Sequence, residues 1–280
     1  MVLNGGIIGL GKMGISHCSI VNAHPNVNLI GVCDTNNLVL EAFKKYSSVK
    51  TYSDYKRLID ENNQLNFVFI ATPTKYHADI LYYAIEKGIN VFCEKPFTLG
   101  IKDGERIAAL VKEKSLINQV GYHNRHIATF NYLKDLVSLG IFGDIYHFIG
   151  ESYGPVVVKK KSATWRSIST EGGGCLYDYA SHVINLVEYI ISDIEGVDGT
   201  VLKRIYSKDV EDAVYSGLTL KNGLNGYLSV NWSDETYRKM STQISVYGTN
   251  GKAIADAQEI KIYLKDDNEK LGLENGWNIK

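Results

Sequence analysis

Cysteine is scarce and scattered: Cys18, Cys33, Cys93 and Cys175 stand far apart with no C-x-x-C pair, which suggests neither a zinc ribbon nor a disulfide framework. Cys33 and Cys93 fall in apolar runs and read as small buried hydrophobes. An excess of one charge is lacking too. A formal net charge of −1 gives no electrostatic basis for binding nucleic acid or an anionic membrane surface. No apolar run approaches membrane-spanning length, and no signal peptide precedes the first strand; the expectation is a cytoplasmic protein. No set of Cys and His has zinc-ligand spacing, since His123 and His126 alone are too few. At 280 residues the chain can hold two domains with a sizeable core.

What is present begins at Gly6. A short apolar strand leads through Gly9, Gly11, Lys12, Met13 and Gly14, in G-x-G-x-x-G spacing, into a helix. Gly9 allows a tight turn, Gly11 close approach of a pyrophosphate, and Gly14 helix-on-strand packing, with the helix N-terminus facing the phosphates. Such a string arises by chance in glycine-rich chains, but its context is specific. Strand Val27–Cys33 follows the helix, and Asp34 closes that strand where a carboxylate grips the adenosine ribose diol. Asp34 favours NAD over NADP because it repels a 2′-phosphate, and Thr35, Asn36 and Asn37 supply no arginine to hold one. Lys44 and Lys45 lie too far along the next helix.

Strand and helix signals alternate over the first 120 or so residues, with a run at 66–72 that reads as a strand buried on both faces. Repeated βα units mean a doubly wound parallel sheet. From Asp144 onward the strands lengthen and alternate, with turns at Lys221-Asn222-Gly223 and at 248–251. The fold class is α/β: a Rossmann domain over 1–122 and, over 123–280, an α+β domain with a large, mainly antiparallel open sheet and one main helix, Cys175–Ile191. Ligands are expected at the carboxyl ends of the parallel strands.

Two of those ends carry polar tripeptides, Ala71-Thr72-Pro73 (with His77 in the next helical turn) and Glu94-Lys95-Pro96. In the second half, Gly172-Gly173-Gly174 opens a helix on which Asp178 and His182 are four apart and share a face. Leu176, Val183, Leu186, Val187 and Ile190 give that helix its apolar positions. Three successive glycines are costly unless the backbone approaches something closely, which argues for a site. Tyr52-Ser53-Asp54-Tyr55-Lys56 has the Y-x-x-x-K spacing of short-chain dehydrogenases, but it comes too early in the chain and the opening glycines have the wrong spacing.

Taken together, the Gly9–Gly14 loop, Ala71-Thr72-Pro73 with His77, Glu94-Lys95-Pro96, the Trp165-Arg166 pair and the glycine run through Asp178 and His182 resemble the Gfo/Idh/MocA family of glucose–fructose oxidoreductases and inositol dehydrogenases. The matches span most of the chain in the family's order. The resemblance implies a cis Lys95–Pro96 bond, a homodimer or homotetramer through the C-terminal sheet, and NAD-dependent hydride transfer on a sugar, sugar derivative or cyclitol. Thr72, Pro73, His77 and Glu94 would line the cofactor cleft, with Trp165 and Arg166 closing over the nicotinamide. Lys95 and His182 would flank the reacting hydroxyl with Asp178 beside them; His182 is favoured as proton acceptor, with Lys95 polarising the oxygen. Tyr122, His123, Asn124 and Arg125 are candidate substrate contacts, and Lys159-Lys160-Lys161 reads as a solvated loop or a contact to an anionic substrate.

Two departures accompany the match. Ala180 stands where members often have glycine, and Asn185 where they often have an acid. Members generally continue past the position of Lys280, so the resemblance also implies a truncated chain. A redox-neutral NAD-dependent glycosidase and a non-catalytic dinucleotide-binding regulator remain as alternative readings. No metal is expected.

Overall fold

The computed structural model describes residues 2–158 and 164–280. Their contacts divide into two compact units, Met1–Gly121 and Tyr122–Lys280.

The first unit runs β1 (Leu3–Ile8), α1 (Lys12–Ala23), β2 (Val27–Cys33), α2 (Asn37–Tyr46), β3 (Lys50–Tyr52), α3 (Tyr55–Asp60), β4 (Phe67–Ile70), α4 (His77–Glu86), β5 (Asn90–Cys93), α5 (Ile101–Glu113) and β6 (Asn118–Val120). All strands are parallel, in the order β3-β2-β1-β4-β5-β6, the doubly wound order of dinucleotide-binding domains. Side chains capable of closing helix N-termini do so: the Asn36 oxygen accepts from Leu38 N, and the Asp54 carboxylate from Lys56 N. β4 explains its own apolar run. Val68 and Ile70 join the core under α3, α4 and α5, while Phe67 and Phe69 pack on the opposite face with residues of α1 and α2. The strand has no polar face because neither side meets water.

The second unit contains α6 (Ala128–Ser138), β7 (Ile145–Tyr153), a π-helical turn (Leu176–Ala180) continuous with α7 (Ser181–Ile190), and seven further strands: β8 (Ile194–Lys203), β9 (Ala213–Leu220), β10 (Asn225–Asn231), β11 (Ser241–Gly248), β12 (Gly251–Ala255), β13 (Ile260–Leu264) and β14 (Gly276–Ile279). They form one eight-stranded sheet, β14-β13-β12-β11-β7-β10-β9-β8. Its pairs are antiparallel except β7–β10, which is parallel. Phe130 and Leu133 of α6, and Val183, Leu186 and Val187 of α7, bury one sheet face against Phe148, Leu228, Ile244 and Val246. Gly150 gives α7 room, since a Cβ there would lie 2.4 Å from Val183.

A buried carboxylate shapes the loop between β8 and β9. Asp212 is fully buried and accepts from Ile205 N (2.7 Å), Tyr206 N (2.6 Å), Ser207 N (2.8 Å), the Ser207 hydroxyl and Trp232 Nε1 (2.8 Å). Burial alone would push its pKa up, but the bonds from Ser207, Trp232 and Tyr206 together outweigh that and hold it below the ordinary aspartate value. A folded-state pKa below the unfolded one stabilises above the unfolded value and loses that contribution as pH falls through the folded one. Asp212→Asn keeps the shape but turns a donor toward donors. It should lower stability by about 2–3 kcal/mol near neutral pH and flatten the acid limb of a plot of unfolding free energy against pH, as measured by urea titration.

Candidate active site

The carboxyl ends of the parallel strands are brought into one row by hydrogen bonds that continue past the strands. Gly9 N donates to Cys33 O, Ala71 N to Ile8 O, Glu94 N to Ile70 O and Gly121 N to Cys93 O, each at 2.8 Å. The glycine turn, Asp34, Thr72 and Glu94 are therefore neighbours along this edge. Strand order reverses between β1 and β4, which makes their ends the ligand-binding position of such a sheet.

The three glycines play separable parts. Gly9 has φ +94° and lies so near β4 that a Cβ would meet the Ala71 carbonyl carbon at 2.7 Å; a Cβ on Gly14 would meet the Gly9 oxygen at 1.8 Å. Among the described residues nothing stands within 4 Å of a Cβ at Gly11, and no side chain caps α1 there. Lys12 and Met13 open the helix on exposed ground. Free N–H groups at an uncapped helix start, beside a glycine with open space, suit a diphosphate. The Asp34 carboxylate is aimed from two sides, Oδ2 accepting from Leu10 N at 2.6 Å and Oδ1 from Asn36 N at 2.8 Å. Each oxygen keeps capacity to accept from a ribose hydroxyl. The buried Thr72 hydroxyl oxygen has no partner among the described residues. These features fit a dinucleotide.

His77 differs from its sequence reading. It has no exposed surface, so it does not line a cleft. Its Nδ1 lies 3.0 Å from the Pro96 carbonyl and 3.2 Å from that of Phe97, and its Nε2 lies 2.9 Å from the Thr72 carbonyl. Burial pushes its pKa down, against the pull of those carbonyls. The His77 ring thus sits between the Thr72-Pro73 turn and the segment after Lys95, whose bond to Pro96 is cis, and as a neutral imidazole it donates to one of the two at a time. One contact was missed altogether: His17 Nε2 lies 2.7 Å from Glu94 Oε1. Its signal was its place on α1, on the stripe shared by buried Gly14, Cys18 and Val21.

In the second unit Asp178 and His182 are 4% and 3% exposed. Asp178 sits in the π-helical turn rather than in regular α-helix, the kind of local bulge that often marks functional positions. Leu176, on the same turn, is 36% exposed and leaves the apolar stripe that α7 keeps. Arg166 Nε donates to Asp178 Oδ2 at 2.8 Å, and its guanidinium lies over the Trp165 ring, 4.5 Å from the centroid. The His182 ring meets His123 and Tyr122 edge-on, at 5.2 and 6.0 Å. Burial raises the Tyr122 pKa, keeping it a neutral phenol. Arg125 is a brace: its Nε donates to Asn185 Oδ1 at 2.6 Å, and it stacks 5.0 Å from Tyr189. Lys159-Lys160-Lys161 lies outside the described residues.

The glycine run does answer to close approach, but the approaching group is the protein. A Cβ on Gly173 would meet the Arg166 carbonyl oxygen at 2.4 Å, and one on Gly174 (φ +103°) would meet Glu211 Oε1 at 2.2 Å. That carboxylate accepts from Leu176 N at 2.8 Å, so Glu211 caps the helix through the gap left by Gly174. The four cysteines are all buried and free, and desolvation pushes Cys33 up to about 12, which leaves no reactive thiolate there.

A dinucleotide-binding parallel sheet followed by a helix-backed open sheet is the build of a two-domain oxidoreductase. The chain belongs to the Gfo/Idh/MocA oxidoreductase family: the family model for its NAD-binding Rossmann fold matches residues 3–122, and that for its C-terminal domain matches residues 130–254. It is 27% identical to levoglucosan dehydrogenase of Pseudarthrobacter phenanthrenivorans, over 80% of this chain and 60% of that protein. Identity to glucose-6-phosphate 3-dehydrogenase of Bacillus subtilis is 28%, over 66% and 53%. Identity to myo-inositol 2-dehydrogenase of Thermotoga maritima is 26%, over 95% and 79%. The chain thus spans about 60% and 53% of the lengths of the first two. A levoglucosan dehydrogenase structure with NADH and levoglucosan shares the fold at a TM-score of 0.91 and 23% identity, covering 100% of this chain and 80% of that one.

The glycines can be told apart by experiment. Gly11→Ala should leave thermal stability within about 1 kcal/mol of the parent yet weaken NADH binding, read by NADH fluorescence. Gly14→Ala should destabilise by about 1–3 kcal/mol or more, visible in a melting curve without ligand.

Proposed function

We propose that this protein is an NAD-dependent dehydrogenase that moves a hydride between nicotinamide and a CH–OH carbon of a sugar, sugar derivative or cyclitol. One observation carries the reading. A chain of this family has Lys95 after β5, on the sheet edge that also carries the glycine turn, and a buried Asp178 and His182 four residues apart on the π-helical turn and the helix α7 that continues it. A protein that only sensed a dinucleotide would need none of the three. The named activities of the relatives, on levoglucosan, glucose 6-phosphate and myo-inositol, support the substrate class. Four buried thiols without a disulfide fit a reducing compartment, and we infer a cytoplasmic enzyme.

Gly9–Gly14 and Asp34 would hold the diphosphate and the adenosine ribose, with Thr72, Pro73 and Glu94 along the same edge. Bound NAD supplies the hydride acceptor. An alcohol that loses hydride must lose its hydroxyl proton, so a base within hydrogen-bond reach is required. We assign His182 that role, with Lys95 polarising the oxygen. Asp178, itself held by Arg166, favours the imidazolium formed when His182 takes the proton. Tyr122 and His123, whose rings border His182, are assigned to substrate orientation.

We also infer a homodimer or homotetramer through the outer face of the second sheet. His147, Tyr247, Lys252, Tyr263 and Trp277 are successive cross-strand partners over five strands. Their rings touch, and the Lys252 amine lies over Tyr247 and Trp277. Tyr146 and Trp277 are 63% and 54% exposed; an aromatic strip of this extent on a sheet face is typical of an interface.

Incubation with NAD and a panel of free sugars, sugar phosphates, nucleotide sugars and polyols should produce NADH, followed by its absorbance. Glycosidic cleavage without net NADH would instead mark the redox-neutral hydrolase. Lys95→Ala should lower kcat about 10²–10⁴-fold with NADH affinity retained; an active variant would sink the mechanism. Tyr146→Lys with Trp277→Lys should reduce the solution mass seen by light scattering while NADH still binds.

A further inference from the structure

We infer that His17, which neither family resemblance nor motif spacing singled out, is a positioning residue that holds the Glu94-Lys95 turn through the Glu94 carboxylate. Its catalytic consequence rests on the dehydrogenase reading; its geometry lies wholly within the first unit.

His17 projects from α1 onto an aromatic floor. Its ring lies 5.3 Å from Phe69 and 5.1 Å from Phe92, which stack on each other at 4.4 Å. Phe69 belongs to β4 and Phe92 to β5, so one imidazole touches the helix that starts at the glycine turn and both strands that end in polar tripeptides. On that floor the ring directs Nε2 at Glu94 Oε1, 2.7 Å away. A carboxylate has no proton to give, so Nε2 donates.

Glu94 passes the constraint on. Its Oε2 accepts from Lys95 N at 3.3 Å, and the carboxylate is packed so closely on the end of β6 that a Cβ at Gly121 would lie 3.2 Å from it. The His17 and Glu94 side chains are only 17% and 13% exposed. At that depth a hydrogen bond to a carboxylate is strong, and an unmatched carboxylate is costly. Deprived of the His17 donor, Glu94 would turn toward water, and the Lys95 backbone would lose an acceptor. His77 fixes the far side of the same segment through Pro96 and Phe97. Two histidines on two helices thus clamp the segment that bears Lys95. Since misplacing a reacting group by about 1 Å can cost about 10²-fold in rate, the clamp has catalytic weight.

The test compares His17→Gln with His17→Asn. Both remove the ring from the aromatic floor, but a glutamine amide nitrogen reaches the position of imidazole Nε2 and an asparagine one does not. The full chain is used, free and with NADH. Hydrogen exchange of a peptide spanning 94–97, read by mass spectrometry, should accelerate in His17→Asn and stay near the parent in His17→Gln. With an active substrate, kcat should fall about 10–100-fold in His17→Asn and recover in His17→Gln, with the NADH dissociation constant changed less than about threefold in both. Equal behaviour of the two variants, whether both normal or both impaired, would overturn the proposal. A parent protein inactive on every sugar and polyol would overturn the dehydrogenase reading instead, and the exchange measurement would still decide the role of His17.

Discussion

Backbone rests on backbone where α1 begins, and the glycine turn of the first unit depends on that contact. The Gly9 oxygen occupies the space a Gly14 side chain would need, and Gly9 itself leaves no room for one against Ala71. With no side chain between them, the helix start, the turn and the end of β4 lie at the shortest separation a polypeptide allows. That spacing sets how α1 lies on the sheet. Cys18 and Val21 then enter the core beside Ile7 and Val32, the uncapped helix start meets open space at Gly11, and His17 falls over Phe69 and Phe92. A methyl group at one position would disturb all three.

The second unit uses the same device for another end. Gly173 and Gly174 admit the Arg166–Ile168 backbone and the Glu211 carboxylate, so the start of the Asp178 helix is capped from within. Arg166 reaches the buried Asp178 from the same segment. Only the carboxylate of this pair is buried, the Arg166 side chain being 43% exposed, and Arg166 gives that carboxylate the partner a buried charge requires, so it serves the fold of this helix as well as any chemistry at its surface. Asp212, next in sequence to Glu211, gathers five donors and ties the adjoining loop to Trp232. The loop before β9 is thereby hydrogen-bonded without regular structure.

Local signals were readable where their cause was local. The βα alternation, the apolar β4 run and Asp34 at the end of β2 all follow from neighbours a few residues away. The lengthening, alternating strands from Asp144 onward were legible as a class because burial of one sheet face writes a period of two into the chain. β13 shows the same period, with Ile260, Ile262 and Leu264 buried; β14 has only four residues and little pattern of its own. The π-helical turn was invisible, because one extra residue per turn leaves no mark in composition. His77 was placed at the right strand end but assigned the wrong surface: proximity in sequence to Thr72 and Pro73 does not say which way the ring faces.

Spacing along the chain is enough to specify a dinucleotide turn, an acid after the second strand, a parallel doubly wound sheet and the residue types available for proton transfer. Each is written in a spacing of a few residues, through glycine sterics and side-chain periodicity. Tertiary structure alone decided which carbonyls hold His77, that the glycine run receives Glu211, and that His17 meets Glu94 across 77 residues of chain. Such contacts depend on how helices lie on strands, which is set by the packing of whole faces, and a short stretch of chain carries no record of what will be packed against it.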